Sequence, residues 1–234
     1  CADNGVVAQG VTQTGQEVTA IVTENMSTGD TSVCRMAAAA GAEVIPVDIG
    51  VARAVAGERI RQCNVRRGTA DMTQGPAMTR EEAVQAVETG IELVRELKDK
   101  GYGLIGTGEM GIGNTTTSSA LASVFLNRPP EQVTGRGAGL SSAGLERKIK
   151  AIETAIQVNK PNPADPLDVL SKVGGLDLAG LCGVFLGGAA CRIPVLVDGF
   201  ISSAAALTAA RLCPAAVDYM LGSHASNEPA GRMV

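Results

Sequence analysis

Tryptophan is absent, and two Tyr and three Phe bring the aromatic share to only 2%. A platform that stacks nucleic-acid bases needs exposed aromatic rings, so this composition argues against one. The single histidine, His224, rules out any centre that needs two imidazoles. The six cysteines, Cys1, Cys34, Cys63, Cys182, Cys191 and Cys213, form no CxxC pair. Most stand among Ala, Gly and Leu, as buried small hydrophobes do, and a reduced, cytoplasmic protein is expected. No signal-peptide pattern and no apolar run of membrane-spanning length is found. No block of like charge marks an arm or tail. Twenty basic and 24 acidic residues give a net charge of −4, so nothing draws a polyanion to the surface as a whole. Neither nucleic acid nor membrane is therefore an expected partner.

Small and aliphatic residues are plentiful instead. Hydrophobic residues make up 45% of the chain, so the core must be built from Ala, Val, Leu, Ile and Met. That composition suits helices packed closely on parallel strands. The length of 234 residues fits a single α/β domain. The opening Cys1-Ala2-Asp3-Asn4-Gly5 reads as the end of a strand already under way. The final Gly231–Val234 carries no stop signal, so truncation at both ends is expected.

Helices are predicted over 17–28 and 30–40, with Asp30 as N-cap and Gly41 as terminator. Residues 43–49 read as a buried strand and 51–79 as a long ordered loop. Thr79 with Glu82 three residues on forms a capping box, and Val84, Val87, Ile91, Val94 and Leu97 recur at helical spacing. Tyr102–Thr107 reads as a strand, followed by helices over 115–126, 143–158, 165–172 and 176–190. Ile193–Val197 is a strand, Phe200–Leu212 a helix and Ala216–Leu221 a strand. The alternation predicts an α/β fold with a three-layer, Rossmann-like arrangement, a parallel sheet with helices on both faces.

Ligands in such sheets bind beyond the C-terminal strand ends. Asp48–Gly50, Gly106–Asn114, Asp198–Phe200 and Gly222–His224 satisfy that rule. Gly108, Gly111 and Gly113 allow close backbone approach, and the helix start at Asn114, with Thr115, Thr116 and Thr117, offers donors to a phosphate or carboxylate. A tight turn with a capped helix accounts for the same residues. Gly106–Gly111 also matches GxGxxG, but no predicted strand presents an acid about twenty residues on, as a dinucleotide site wants. Glu109 could hold a ribose hydroxyl or a cationic ring, serve as a base, or be a solvated turn acid. Spacing alone assigns nothing to Lys148 or His224, and Cys182 and Cys191 read as core packing.

The segment Gly106-Thr107-Gly108-Glu109-Met110-Gly111-Ile112-Gly113-Asn114-Thr115-Thr116 resembles the signature of the nicotinate-nucleotide:dimethylbenzimidazole phosphoribosyltransferases. Further matches follow in order: Ala2–Val6, Asp48–Gly50, Gly68-Thr69, Gly135–Gly139, Lys148, Gly174–Gly180, Val197–Phe200 and Ser223–Ser226. The resemblance implies transfer of ribose 5-phosphate from nicotinate mononucleotide to a benzimidazole nitrogen with inversion at C1′, giving α-ribazole 5′-phosphate and nicotinate for cobamide assembly. It implies no metal and no cofactor, and a homodimer. Carried over residue by residue, Gly111, Gly113, Asn114, Thr115, Thr116, Gly137 and Lys148 hold the nucleotide, and Met110 packs on the acceptor ring. Asp198, Gly199, Phe200, His224 and Ser226 line the nicotinate and phosphate side, and the loop near Thr12–Glu17 borders the acceptor pocket. Glu109 is a site carboxylate. The general base that the family implies, in an LGEG-like segment after the Ser223–Ser226 motif, falls beyond Val234, and a second, small helical domain is largely missing. Glu109 as a substitute base, a non-catalytic partner subunit and, more remotely, an NAD-binding oxidoreductase domain are the alternatives.

Overall fold

In the computed structural model, which describes residues 1–234, every strand pairing is parallel. One sheet joins β1 (Val47–Asp48) to β2 (Arg61–Gln62). The other has the order β3-β4-β5, from Ile105–Gly106, Val195–Val197 and Met220–Gly222. The first three residues tie the two together. Ala2 bridges Gly50 in parallel, and its N–H donates to the Met110 carbonyl at 3.1 Å on the other side. Ala2 thus makes a single parallel bridge, lying between the segments that follow β1 and β3.

Helices connect and cover the strands: α1 (Glu17–Thr28), α2 (Ser32–Ala39), α3 (Arg80–Asp99), α4 (Asn114–Leu126), α5 (Pro130–Val133), α6 (Ser142–Asn159), α7 (Pro166–Val173), α8 (Leu176–Cys191) and α9 (Gly199–Leu212). This is the α/β architecture of parallel strands flanked by helices that the sequence pattern implied. No helix is long and apolar enough to cross a membrane. The capping box at Thr79 forms in full, with the Thr79 hydroxyl accepting from the Glu82 N–H and the Glu82 carboxylate from the Thr79 N–H.

The main core of 33 buried residues runs from Ala2 to Ala209. Its tightest seam is the crossing of α3 and α8. A Cβ on Gly183 would stand 1.9 Å from the Val87 carbonyl oxygen and 3.0 Å from the Gly90 Cα. Glycine is therefore required there by backbone proximity. Ala83, Ala86 and Gly90 complete the buried face of α3, a stripe that aliphatic spacing alone does not reveal. Cys182 and Cys191 are core packing, and burial pushes the Cys182 thiol up to about 12.

Several boundaries differ from the sequence expectation. The 43–49 and 102–107 runs pair only over β1 and β3, because a ladder needs a neighbour and only those residues have one. Arg61–Gln62, inside the supposed 51–79 loop, is β2; a two-residue polar strand has no periodicity to betray it. Residues Pro214–Tyr219 form a 3-10 helix, and only Met220–Gly222 is strand, since Pro214 supplies a fixed φ suited to a helical first turn. The cap of α2 is Thr31, whose hydroxyl accepts from the Cys34 N–H at 3.4 Å, not Asp30. The helix starts one residue later than Asp30 requires. The short helix α5 was not anticipated.

Candidate active site

Both groups of interest begin at the N-terminus of α4. Gly113 caps the helix at φ +97°, where a Cβ would lie 2.9 Å from Val7 Cγ2 and the left-handed backbone favours glycine. The turn closes on itself. Asn114 N–H donates to Gly111 O at 3.0 Å, Thr116 N–H to Gly113 O at 2.9 Å, and Ile112 N–H to Thr19 Oγ1 at 3.1 Å. Amides that the sequence offered to an anion are thus already engaged. The N–H groups of Ile112, Asn114 and Thr116 are those engaged, and side chains and a second turn add further donors beside this helix start.

That second turn is Gly135–Gly139, and Lys148 joins it to α4. Lys148 lies on α6 with no exposed surface. Its Nζ donates to Thr115 Oγ1 at 2.9 Å and to Gly135 O at 3.0 Å. Burial lowers its pKa to about 8, with the Glu228 carboxylate acting in the opposite sense. Gly137 turns back at φ +54°, its Cα hydrogen facing Thr115, and its N–H donates to Glu228 Oε1 at 3.0 Å. A buried ammonium, a hydroxyl and a glycine amide therefore converge, and a carboxylate of the chain itself sits among them. Ser226 Oγ accepts the Glu228 N–H at 3.2 Å, which fixes that loop. Thr116 is fully buried behind the turn, and its hydroxyl has no hydrogen-bond partner within the chain.

On the other side of the same helix start lies a group of acids. Glu109, just past β3, is half-buried and hydrogen-bonded to the Asn114 amide. The same Asn114 Nδ2 donates to Asp177 Oδ2 at 3.0 Å. Burial, reinforced by the Asp177 charge, raises the Glu109 pKa to about 7. A carboxyl poised there at neutral pH can accept or give a proton. Met110 is half-buried beside it, and Gly111 is held against Asp177, where a Cβ would stand 2.3 Å from Oδ2. Gln16 reaches over from the 12–17 loop, its Nε2 donating to Asn4 O at 3.1 Å.

The ends of β4 and β5 complete the rim. Thr107 Oγ1 donates to Leu196 O at 2.7 Å and accepts the Asp198 N–H at 3.3 Å, tying the β3 end to the β4 end. His224 Nδ1 lies 2.9 Å from Ser223 Oγ and 3.8 Å from Asp198 Oδ1, with both His224 and Asp198 more than half exposed. Gly199 begins α9 at φ +64°, and a Cβ there would face His224 Nε2 at 3.6 Å. Phe200 follows Gly199 in the first turn of α9. Its ring is buried with Ala122, Val133 and Ala230.

A phosphoribosyltransferase family model matches residues 1–234, the whole chain. The chain belongs to this family. It is 50% identical over 234 residues to the nicotinate-nucleotide–dimethylbenzimidazole phosphoribosyltransferase of Acetivibrio thermocellus, covering 100% of this chain and 67% of that protein. The same identity holds with the enzyme of that name from Ruminiclostridium cellulolyticum, covering 100% and 66%. A crystal structure of CobT from Thermus thermophilus superposes with a TM-score of 0.95 at 39% identity, covering 99% of this chain and 70% of that one. The chain thus spans about two thirds of the length of the curated relatives it matches.

Within this family fold, the dinucleotide alternative loses its footing. After the Gly106–Gly111 match the chain runs through α4 into α5, and Glu131 sits on that short helix instead of at a strand end. Two polar residues escaped the sequence reading. Asp177 stood inside the Gly174–Gly180 motif without a role, and Glu228 follows Ser226 by two residues. Their contacts cross 63 and 91 positions of sequence, and only the fold brings such partners together.

Proposed function

We propose that this phosphoribosyltransferase moves ribose 5-phosphate from nicotinate mononucleotide to 5,6-dimethylbenzimidazole or a related base. Nicotinate departs from C1′ while a ring nitrogen of the acceptor attacks the opposite face. The C1′–N bond to nicotinate breaks, the new C1′–N bond forms, and the acceptor N–H proton goes to a carboxylate. The state between is oxocarbenium-like, and inversion gives α-ribazole 5′-phosphate. Holding both partners in line supplies much of the rate advantage, and a positioned base supplies more.

The observation that carries this reading is the buried Lys148 ammonium, joined to Thr115 and to the Gly135–Gly137 turn at the start of α4. A charge buried this deeply suits a dianionic phosphate, which would take the Gly137 N–H in place of Glu228. The ribose and nicotinate would then lie toward Gly199, Asp198 and His224, and the acceptor toward Glu109, Met110 and the 12–17 loop. Glu109 is the carboxyl we assign to the acceptor side of this chain. The family resemblance puts the main base downstream of the Ser223–Ser226 motif, outside these 234 residues.

The one large core, from Ala2 to Ala209, supports reading these residues as a single α/β domain. We further propose a homodimer in the cytoplasm. The six free cysteines fit a reducing compartment, and sedimentation of the purified protein tests the dimer.

Turnover of nicotinate mononucleotide with dimethylbenzimidazole is the test, run on this chain and on a version extended at both ends to the relatives' length. α-Ribazole phosphate from the extended form supports the reading. Folded protein that makes none and binds no nicotinate mononucleotide overturns it.

A further inference from the structure

We propose that Asp177 is a positioning residue that holds the Glu109 carboxyl in place through the side-chain amide of Asn114. The Asn114 Nδ2 has two hydrogens, and the two acids take them: Glu109 Oε2 accepts one and Asp177 Oδ2 the other, the latter at 3.0 Å. Asp177 is itself anchored. It sits in the first turn of α8, 3% exposed, with Oδ1 accepting the Leu178 N–H at 3.0 Å. Gly111 leaves room for it, since a Cβ there would stand 2.3 Å from Oδ2. A rigid, buried helix end thus fixes Asp177, Asp177 fixes the amide, and the amide fixes Glu109.

An energetic argument points the same way. Asp177 forms no ion pair with any Lys, Arg or His side chain, although it is buried. A buried acid without such a partner depends on its hydrogen bonds to offset the loss of water, here those from the Asn114 amide and the Leu178 N–H. Here they decide which end of the Asn114 amide faces Glu109. With the amide reversed, its oxygen would confront both carboxyls.

The charged groups around the pair are few. Asp177 from α8 and Asp198 from the end of β4 act on Glu109. Burial raises the Asp177 pKa as it raises that of Glu109. The Asp177 charge adds to burial in raising the Glu109 pKa, while the Asn114 hydrogen bond lowers it, so both the charge and the orientation of the amide act on Glu109.

The assignment of Glu109 to the acceptor rests on the proposed function, but the coupling can be tested without substrate. Carboxyl-13C-labelled Glu and Asp in the full 234-residue chain are titrated by NMR, with Glu109→Gln and Asp177→Asn assigning the two signals. In Asp177→Asn, whose amide oxygen can still accept from Asn114, the Glu109 midpoint should fall by about one pH unit or more, because a neighbouring like charge is gone while the Asn114 amide stays oriented. In Asp177→Leu both the charge and the acceptor are gone, the Asn114 amide is free to turn, and the Glu109 midpoint should stay above that of Asp177→Asn, because the charged carboxyl loses a hydrogen bond. Equal Glu109 midpoints in folded Asp177→Asn and Asp177→Leu overturn the proposal, leaving Asp177 only a neighbouring charge. Asn114→Ala removes the amide itself and should raise the Glu109 midpoint; no rise in the folded variant overturns the proposal even if the Asp177 variants fail to fold. Dimethylbenzimidazole binding is measured separately by calorimetry. Coupling without binding sinks the acceptor-side reading and leaves the positioning role standing.

Discussion

Replacing Lys148 with Met separates what this side chain does for folding from what it does for a ligand. Lys148 is fully buried, and its pKa falls from 10.5 to about 8, mainly through loss of water. That drop corresponds to about 3 kcal/mol of disfavoured charge at neutral pH. The sign follows from proton counting. Between about pH 8 and 10.5 the unfolded chain holds the Lys148 proton and the folded chain does not, so stability rises with pH across that window. Below about pH 8 both states are charged and the full penalty applies. Met fills a similar volume and removes the penalty, but it abandons hydrogen bonds to Thr115 and Gly135 that each contribute roughly 1 kcal/mol, somewhat more for a charged donor. The opposing effects leave Lys148→Met within about 1 kcal/mol of the parent at pH 7. Urea unfolding of both proteins from pH 7 to 10.5 gives a difference curve in which groups common to both cancel. The parent should gain up to about 3 kcal/mol relative to the variant across that range. Nicotinate mononucleotide binding at pH 7 should fall in the variant by about ten- to a hundredfold, the worth of one charged hydrogen bond. A flat difference curve would refute the buried ammonium, and unchanged binding would refute its role in holding phosphate.

Glu109→Gln should alter stability on the other side of neutrality. Its pKa is raised from 4.5 to about 7, so stability contributed by its protonated form is lost as pH rises through about 7, and the variant should outlast the parent at pH 8 but not at pH 4 in thermal melts. Gly137→Ala places a Cβ 3.0 Å from Thr115 Oγ1 at φ +54°, and should lower stability by about 1–2 kcal/mol while weakening nucleotide binding measured by calorimetry. Gly183→Ala should be worse, roughly 3 kcal/mol by chemical unfolding, because helix backbones must separate to admit it. Thr79→Ala removes the capping box of α3 and should reduce stability by about 1 kcal/mol with no effect on ligand binding.

The sequence by itself determined most of the longer helices and the family. Capping residues, apolar spacing and terminating glycines act within a few positions, so α3, α4, α6 and α9 were legible to within a residue or two. The Gly106–Thr116 motif and its companions marked the segments that meet at the strand ends, because a tight, left-handed turn at a helix start tolerates few residue types. Strand lengths were not legible, since a strand is defined by a partner, and Arg61–Gln62 pairs only because β1 lies beside it. The place of α8 was not legible either. Its run of small residues does not name the neighbour it meets, and only the approach of α3 to Gly183 shows which helix packs there. The tertiary structure alone buried Lys148, brought Thr115 to it across 33 positions, and set Glu228 against Gly137 and Asp177 against Asn114. The chemistry of these groups depends on loss of water and on neighbours remote in sequence, neither of which a local pattern encodes.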